Sequence, residues 1–333
     1  MSKQEFILLK EKLTLPVIAA PMFLVSSPEM IINGCKAGIV SSFPLLNART
    51  TEMLEGWMKH ITHELSTNQL KNGAHSIAPW AVNLIVHRTN QRYEADLELI
   101  KKYRPPIVIT SLGNPSLVVN IVHEYGGLVF SDATNLTHAR KAMEAGIDGL
   151  ILVCTGAGGH AGMLNPIAFL TEVKEFWDGI TVVAGCVSRG QDILAMEILG
   201  ADMVYMGTRF IASSESLASD TYQNILVESN VEDLIFTDAF SGVHANYLIP
   251  SILKVGLDPI HLQKKTSLDF SFVQTNEMEI KPWKDILSAG QGVGNVKQVQ
   301  PIADIVTKLK REYDQAFTSL VNSYSNSTLQ KNN

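Results

Sequence analysis

The stretch Gly149–Gly162 reads Gly-Leu-Ile-Leu-Val-Cys-Thr-Gly-Ala-Gly-Gly-His-Ala-Gly and joins an apolar segment to a glycine-rich loop. Its first part, Gly149–Cys154, has the length and composition of a fully buried strand. The loop glycines carry no Cβ, so the backbone there can approach a flat or anionic ligand closely. His160 is the loop's one side chain that exchanges protons near neutral pH. This pattern predicts an α/β fold that presents reactive groups at the carboxyl ends of its strands.

Seven further apolar runs of similar length alternate with segments of helical period. The eight runs are Val17–Pro21, Gly38–Phe43, Trp80–Val86, Ile107–Ser111, Gly127–Ser131, Gly149–Cys154, Thr181–Gly185 and Met203–Gly207. Eight strand–helix units within about 200 residues predict a (β/α)8 TIM barrel. The alternative is an open doubly wound sheet, which usually carries Gly-x-Gly-x-x-Gly after its first strand. Ala19-Ala20-Pro21-Met22 stands there instead.

Local signals predict where several helices begin and end. Ser27 is a candidate N-cap and is followed by Pro28, which is favoured at the first helical position. Thr137–Ala145 and Arg189–Leu199 carry apolar residues at helical spacing, and each is followed directly by a glycine. Each of these segments then leads into another apolar run, which is typical of successive αβ units.

The strand pattern ends near Phe210, and this predicts the domain organisation. We expect residues 1–212 and 285–323 to form the barrel, and residues 213–284 to form a small helical cover over its carboxyl face. Pro301–Ser323 has the apolar spacing of one amphipathic helix. The polar residues 324–333 are expected to be a disordered tail.

Composition excludes several classes of partner. The chain has 333 residues, 46% of them apolar, and a net charge of −6 without a basic stripe, so we expect no nucleic-acid partner. No metal-ligand spacing is visible, so we expect no metal. Cys35, Cys154 and Cys186 predict free thiols in a reducing compartment. Leu15–Val25 is too short to span a membrane, and we therefore expect a cytoplasmic protein without a membrane partner.

Six short motifs follow the predicted strands in order along the chain. They are Ala20-Pro21-Met22, Val82-Asn83-Leu84, Gly158-Gly159-His160-Ala161-Gly162, Ala184-Gly185, Met206-Gly207-Thr208-Arg209-Phe210 and Ser288-Ala289-Gly290-Gln291. Over roughly residues 16–320 the chain resembles the nitronate monooxygenase (2-nitropropane dioxygenase-like) family of FMN-dependent TIM barrels. The same superfamily includes flavin-dependent enoyl-acyl-carrier-protein reductases and an NADH:quinone reductase. The resemblance therefore indicates the cofactor, FMN, better than the substrate.

The resemblance implies a phosphate site at the ends of the last two barrel strands. Gly185, Gly207 and Thr208 would hold the FMN phosphate through backbone N–H groups, although turn glycines are also common at αβ junctions. Cys186 stands where the family often has a second glycine and still offers its own N–H group.

The flavin ring is expected to lie beside the first and third strands. The resemblance implies that Ala20, Pro21 and Met22 run along the ring, with backbone donors near its nitrogens and the Met22 thioether packed on it. Asn83 interrupts an apolar strand, and its amide needs a hydrogen-bonding partner. A flavin edge or a neighbouring backbone group would satisfy it.

The resemblance also bears on four further residues. Asp132 stands where some relatives carry a lysine that contacts the flavin. It could bind ribityl hydroxyls, orient a neighbour or cap a helix. Ser288 and Gln291 resemble the family's late flavin contact, whereas Arg209 is expected to form a structural ion pair rather than bind phosphate.

His160, next to Gly158 and Gly159, is the candidate catalytic residue. The resemblance implies an FMN-dependent oxidoreductase that oxidises alkyl nitronates or nitroalkanes with dioxygen to a carbonyl compound and nitrite. His160 would hydrogen-bond the nitronate oxygens or remove the α-proton of a neutral nitroalkane. The alternatives are an NAD(P)H-dependent flavin reductase acting on an enoyl thioester or a quinone, and a non-catalytic barrel that binds flavin or another phosphate ligand. The physiological substrate, the use of NAD(P)H and the oligomeric state stay open.

Overall fold

The computed structural model describes residues 6, 9–72, 77–265 and 282–330. Eight parallel strands close into a barrel in the order β1-β2-β3-β4-β5-β6-β8-β9. The barrel strands are β1 Val17–Ala19, β2 Val40–Pro44, β3 Trp80–Ile85, β4 Ile107–Ser111, β5 Leu128–Ala133, β6 Gly149–Val153, β8 Ile180–Ala184 and β9 Met203–Met206. Each overlaps one of the eight predicted runs, so the TIM-barrel prediction is confirmed and the open sheet is excluded.

Helices surround the barrel and connect its strands. They are α1 Pro28–Lys36, α2 Thr51–Asn72, α3 Tyr93–Tyr103, α4 Ser116–Glu124, α5 Leu136–Glu144, α6 Pro166–Lys174, α7 Gly190–Ile198, α8 Thr208–Ile211, α9 Asp220–Glu228, α10 Ile249–Lys254 and α11 Ile302–Gln330. The predicted N-cap is confirmed, because Ser27 Oγ accepts a hydrogen bond from Met30 N at 3.0 Å. None of the helices among these described residues is long and apolar enough to cross a membrane.

The barrel interior is apolar in its middle layers. Ile18, Ile109, Phe130, Ile151 and Val182 come from five different strands and are all fully buried there. Branched and aromatic side chains at alternate strand positions fill the space, as barrel packing requires. The interior is therefore a packed core, and a ligand can enter only above it, at the carboxyl ends of the strands.

The segment after the barrel is not wholly helical, which corrects the prediction of a helical cover. Its described part contains α9 and α10 but also two strands, β10 Leu234–Thr237 and β11 Ala245–Leu248. These pair antiparallel with each other, and β11 pairs with β7, Gly159–His160, in the glycine loop. Both strands have only four residues, and their partner lies far away in sequence, so no local period marks them. The remaining part, residues 266–281, lies outside the described residues.

The final helix differs from its predicted end. α11 continues to Gln330, so it covers most of the segment that the sequence predicts to be a disordered tail. Its buried face includes Ile302, Ile305 and Leu309, which pack with residues of the barrel and α7. Past Val321 the sequence is polar, so no apolar stripe marks a continuing helix, and residues 331–333 lie outside the described part of the chain.

Candidate active site

A cavity of about 280 Å³ opens at the carboxyl ends of the barrel strands. All predicted site residues except Gln291 line it. They are Ala20, Pro21, Met22, Asn83, Asp132, Gly158, Gly159, His160, Gly185, Cys186, Gly207, Thr208 and Ser288. The carboxyl ends of parallel strands meet at one end of the barrel, so motifs spread over more than 260 residues of sequence come together there.

His160 is held on two sides within the cavity wall. Its Nε2 lies 3.0 Å from Ser241 Oγ, and its ring meets Trp283 edge-on with the centroids 5.3 Å apart. Ser241 Oγ also lies 3.1 Å from the Val243 carbonyl oxygen, so the hydroxyl joins His160 to the segment before β11. Burial lowers the pKa of His160 to about 4, so the imidazole is neutral at pH 7.

The glycine loop packs against the segment that contains Ser288 and Gly290. A Cβ at Gly158 would lie 2.9 Å from Gly290 N, and one at Gly290 would lie 2.7 Å from Gly156 O. These glycines are therefore required by the close approach of two backbone segments. The sequence predicts that the loop's glycines serve the close approach of a ligand, but the neighbouring segment is the first reason for Gly158.

Gly185 and Gly207 of the predicted phosphate site differ in the reason why each position is a glycine. Gly185 has φ +125°, and a Cβ there would lie 2.8 Å from Thr155 O, so its glycine is needed for the fold. Gly207 has φ −100°, and a Cβ there would lie 3.6 Å from Met22 Sδ and 3.7 Å from Ala20 Cβ. Gly207 therefore keeps space open at the cavity wall rather than satisfying a strained backbone.

Cys186 follows Gly185 in the left-handed region, at φ +61°. Only glycine adopts this conformation without cost, which explains physically why a glycine would suit this position. Its Sγ lies 3.6 Å from Gln291 Oε1. Gln291 therefore sits beside the cavity, on Cys186, and does not line it.

The segment Ala20-Pro21-Met22 lines the cavity without offering the expected backbone donors. Ala20 N donates to Met206 O at 3.0 Å, and Met22 N donates to Ser26 Oγ at 3.0 Å. Pro21 has no N–H group. The segment can therefore contact a ring by packing, while its N–H groups serve the fold.

Ser288 has a structural task in addition to lining the cavity. Its hydroxyl accepts from Gly159 N at 2.7 Å and donates to Asn246 O at 2.6 Å. It thus joins the glycine loop to β11, and its one proton is already used. Asn246 reinforces the junction by donating to Ala157 O at 2.8 Å.

Asn83 and Asp132 belong to one hydrogen-bonded chain across three strands. Asn83 Nδ2 donates to Ser111 Oγ at 2.7 Å, and Ser111 Oγ donates to Asp132 Oδ2 at 2.5 Å. Burial raises the pKa of Asp132 to about 6. The cap of α5 is Asn135, so the helix-cap reading of Asp132 is wrong.

Arg209 is not among the described residues that line the cavity. It is buried, which lowers its pKa, and Glu312 on α11 attracts the guanidinium. This placement agrees with a structural role and offers no contact to a phosphate at the cavity.

A wider groove of about 1250 Å³ adjoins the cavity over the ends of β3 to β6. It shares Asn83, Asp132 and His160 with the cavity, so the two spaces meet at the candidate catalytic residue. Lys141 contributes a cation to the groove, and the exposed Met163 contributes apolar surface.

Several residues of the cavity and its support are not predicted from the sequence. Tyr205 and Trp283 line the cavity, and Ser111 and Ser241 hold Asp132 and His160. Tyr205 had a signal of the same kind as Asn83, a polar group within an apolar strand. Ser241 and Trp283 had none, because only tertiary packing brings them to the loop.

Comparisons with known proteins agree with this architecture. A family model described as nitronate monooxygenase matches residues 56–312. Probable nitronate monooxygenases of Staphylococcus haemolyticus and Staphylococcus aureus are 30% and 28% identical over 169 and 163 residues. These matches cover 46% of this chain and 47% and 46% of the relatives, so the chain spans about half the length of the curated relatives it matches.

Two solved structures share the fold over nearly the whole chain. FabK from Thermotoga maritima superposes with a TM-score of 0.76 at 21% identity, covering 96% of this chain and 98% of that one. Nitroalkane oxidase from Streptomyces ansochromogenes does so with a TM-score of 0.76 at 22% identity, covering 94% and 99%. At these identities the likeness shows the fold alone. The family match covers well over half of the residues, and the chain therefore belongs to the nitronate monooxygenase family.

Proposed function

We propose that the chain is an FMN-dependent oxidoreductase that oxidises alkyl nitronates or nitroalkanes with dioxygen to a carbonyl compound and nitrite. The observation that carries the proposal is a neutral His160 in the wall of a cavity at the carboxyl end of a nitronate monooxygenase-family barrel. Relatives named probable nitronate monooxygenases support the same reaction class.

The cavity suits a flavin in shape and chemistry. Gly207 leaves space at one wall, where Gly185 and Thr208 contribute backbone, and this part would hold the single phosphate of FMN. Ala20, Pro21 and Met22 would pack along the ring. Asn83 lines the cavity and would supply a polar partner for the ring edge. FMN, when bound, would take electrons from the substrate and deliver them to dioxygen.

His160 would act as the base for a neutral nitroalkane. Ser241 Oγ holds Nε2 of the imidazole at 3.0 Å, and the neutral ring is the base that would accept the α-proton. The Trp283 edge fixes the plane of the ring and keeps water from one side of it. A preformed nitronate has already lost its α-proton and would need only to be positioned.

A flavin reductase that uses NAD(P)H is the second candidate function. The adjoining groove favours it, because a volume of about 1250 Å³ beside His160 would accommodate a nicotinamide nucleotide or a thioester. A solved neighbour is the enoyl reductase domain of MlnA from Bacillus amyloliquefaciens, with a TM-score of 0.67 at 13% identity. This likeness concerns the fold and leaves the substrate to experiment.

Anaerobic mixing of the purified protein with a nitroalkane, its nitronate or NADH tests the proposal. We expect a yellow protein whose chromophore, released by heat, co-elutes with FMN in chromatography. The nitronate should bleach it, and nitrite should form in air. Bleaching by NADH but not by the nitronate would support the reductase instead. A colourless protein that binds no flavin would favour the non-catalytic barrel.

A further inference from the structure

Four polar side chains from four barrel strands lie together at the inner end of the cavity, above the apolar core. Asn83 comes from β3, Ser111 from β4, Asp132 from β5 and Tyr205 from β9. Asn83, Asp132 and Tyr205 line the cavity directly. We call these four residues the polar floor.

The hydrogen bonds of the polar floor end on one carboxyl group. Asn83 Nδ2 donates to Ser111 Oγ at 2.7 Å, and Ser111 Oγ donates to Asp132 Oδ2 at 2.5 Å. Asp132 Oδ1 is buried and has no hydrogen-bond partner in the described part of the chain, and the same holds for the Tyr205 hydroxyl. Buried polar atoms are rarely left without a partner in folded proteins, so these two require an explanation.

In the described part of the chain, Asp132 has no lysine or arginine beside it in the cavity, and Lys141 lines only the adjoining groove. On β3, β4 and β6 the neighbours are Asn83, Ser111 and the apolar Ile151. On β9 the titratable group is Tyr205, whose pKa is raised by burial and by the charge of Asp132. The loop after β6 brings His160, which is neutral. Among the described residues that line the cavity there is no Lys or Arg.

Asp132 is half-buried as a whole and lines the cavity, so a ligand that fills the cavity would exclude solvent from it. An ionised carboxylate with one hydrogen bond and no counter-charge is strongly disfavoured in such a place, whereas a neutral acid is not. Burial by the protein alone acts in the same direction, because it raises the pKa of Asp132 to about 6. Ligand binding should raise it further.

We propose that Asp132 is the proton-binding residue of the polar floor, held as a neutral carboxylic acid whenever the cavity is occupied, so that ligand binding above pH 6 takes up one proton. Oδ2 already accepts from Ser111, so the proton resides on Oδ1, beside Tyr205. A neutral floor lets the cavity hold an anionic ring edge or an anionic substrate without repulsion. The inference rests on the proposed function in taking a flavin as the ligand.

The test measures flavin dissociation from the holoprotein between pH 5 and 8. The purified protein is diluted, and the fluorescence of released flavin gives the affinity. We expect the affinity to fall about tenfold for each pH unit above about 6, as one linked proton requires. Asp132→Asn is neutral at every pH and nearly the same shape, so its affinity should be independent of pH across this range.

Two controls separate this linkage from other titrations. The phosphate of FMN itself titrates near pH 6, so riboflavin is measured alongside it and should show the same slope. Asp148→Asn removes a carboxylate at the opposite end of the barrel, where it accepts from Val129 N at 2.8 Å. This variant should retain the wild-type dependence on pH.

Calorimetry provides a second readout, which uses wild-type protein only and therefore does not require that a variant folds. Titration of riboflavin into flavin-free wild-type protein at pH 7, in two buffers of different ionisation enthalpy, should show uptake of close to one proton. No uptake, or the same pH slope in wild type and Asp132→Asn, overturns the inference while flavin binding stands. A protein that binds neither flavin at any pH refutes the proposed function itself.

Discussion

At the scale of single residues, His160 is the group on which the proposed chemistry depends. His160→Asn should lower turnover of a neutral nitroalkane by roughly 10²–10⁴-fold, because proton abstraction loses its base. Flavin content should be unchanged, since the phosphate wall is formed by other residues, and the loss with a preformed nitronate should be smaller. Steady-state kinetics and the flavin absorbance measure both effects. Equal turnover of every substrate by variant and wild type would show that His160 is structural.

The pH profile of His160 follows from its buried environment. Burial lowers the pKa of His160 to about 4. The active form of a base is the deprotonated one, so kcat/KM for a neutral nitroalkane should rise through pH 4 and stay flat above about pH 5. The sequence alone predicts that His160 has the pKa of an ordinary imidazole, near neutral pH. The difference arises because the sequence does not show that Ser241 and Trp283 enclose the ring.

Cys186 stores backbone strain at the other side of the cavity. Its φ of +61° costs a residue with a Cβ roughly 1–2 kcal/mol, which glycine avoids. Glycine also loses more chain entropy on folding, so Cys186→Gly should raise the free energy of unfolding by up to about 1 kcal/mol. Cys186→Ala removes the thiol but keeps the strain, and it should give no such gain. Urea denaturation compares the three proteins, and a gain in the alanine variant alone would contradict the argument.

At the scale of elements, the junction between β9 and α8 tests the phosphate assignment. Gly207→Val should abolish flavin retention while the fold survives, because its side chain would enter the cavity from an unstrained backbone position. Gly207→Ala should reduce retention less, since a lone Cβ meets its neighbours at ordinary distances. Circular dichroism and flavin content are the measurements. A valine variant that keeps its full flavin content refutes the phosphate site.

At the scale of the whole molecule, Asp132 should make stability depend on pH. Its pKa is about 6 in the folded chain and near 3.9 when unfolded, so the native state binds more protons between these values. Stability contributed by this group therefore falls as pH rises from 4 to 6, by on the order of 2 kcal/mol. Asp132→Asn should lack this decline. Urea denaturation of both proteins at several pH values gives the difference, and parallel curves would contradict it.

Local sequence was sufficient to determine the barrel. Each barrel strand is a short apolar run, helical spacing follows several of them, and Ser27 marks the start of α1. These signals are read within a few residues, so eight units could be counted without knowing any long-range contact. The strand ends also predict the position of the site, because parallel strands have their carboxyl ends at the same end of the barrel.

The contacts and burial of the site residues could be determined only from the tertiary structure. Nothing in the sequence pairs β7 with β11, places Ser241 under His160 or sets Tyr205 beside Asp132. The same is true of Gln291, which packs on Cys186 instead of lining the cavity. The sequence by itself determined the fold, the end of the barrel that carries the site and the candidate base, because these depend on local period and strand direction. The partners, the burial and hence the protonation states were decided only by tertiary packing, because desolvation depends on atoms that are distant in the chain.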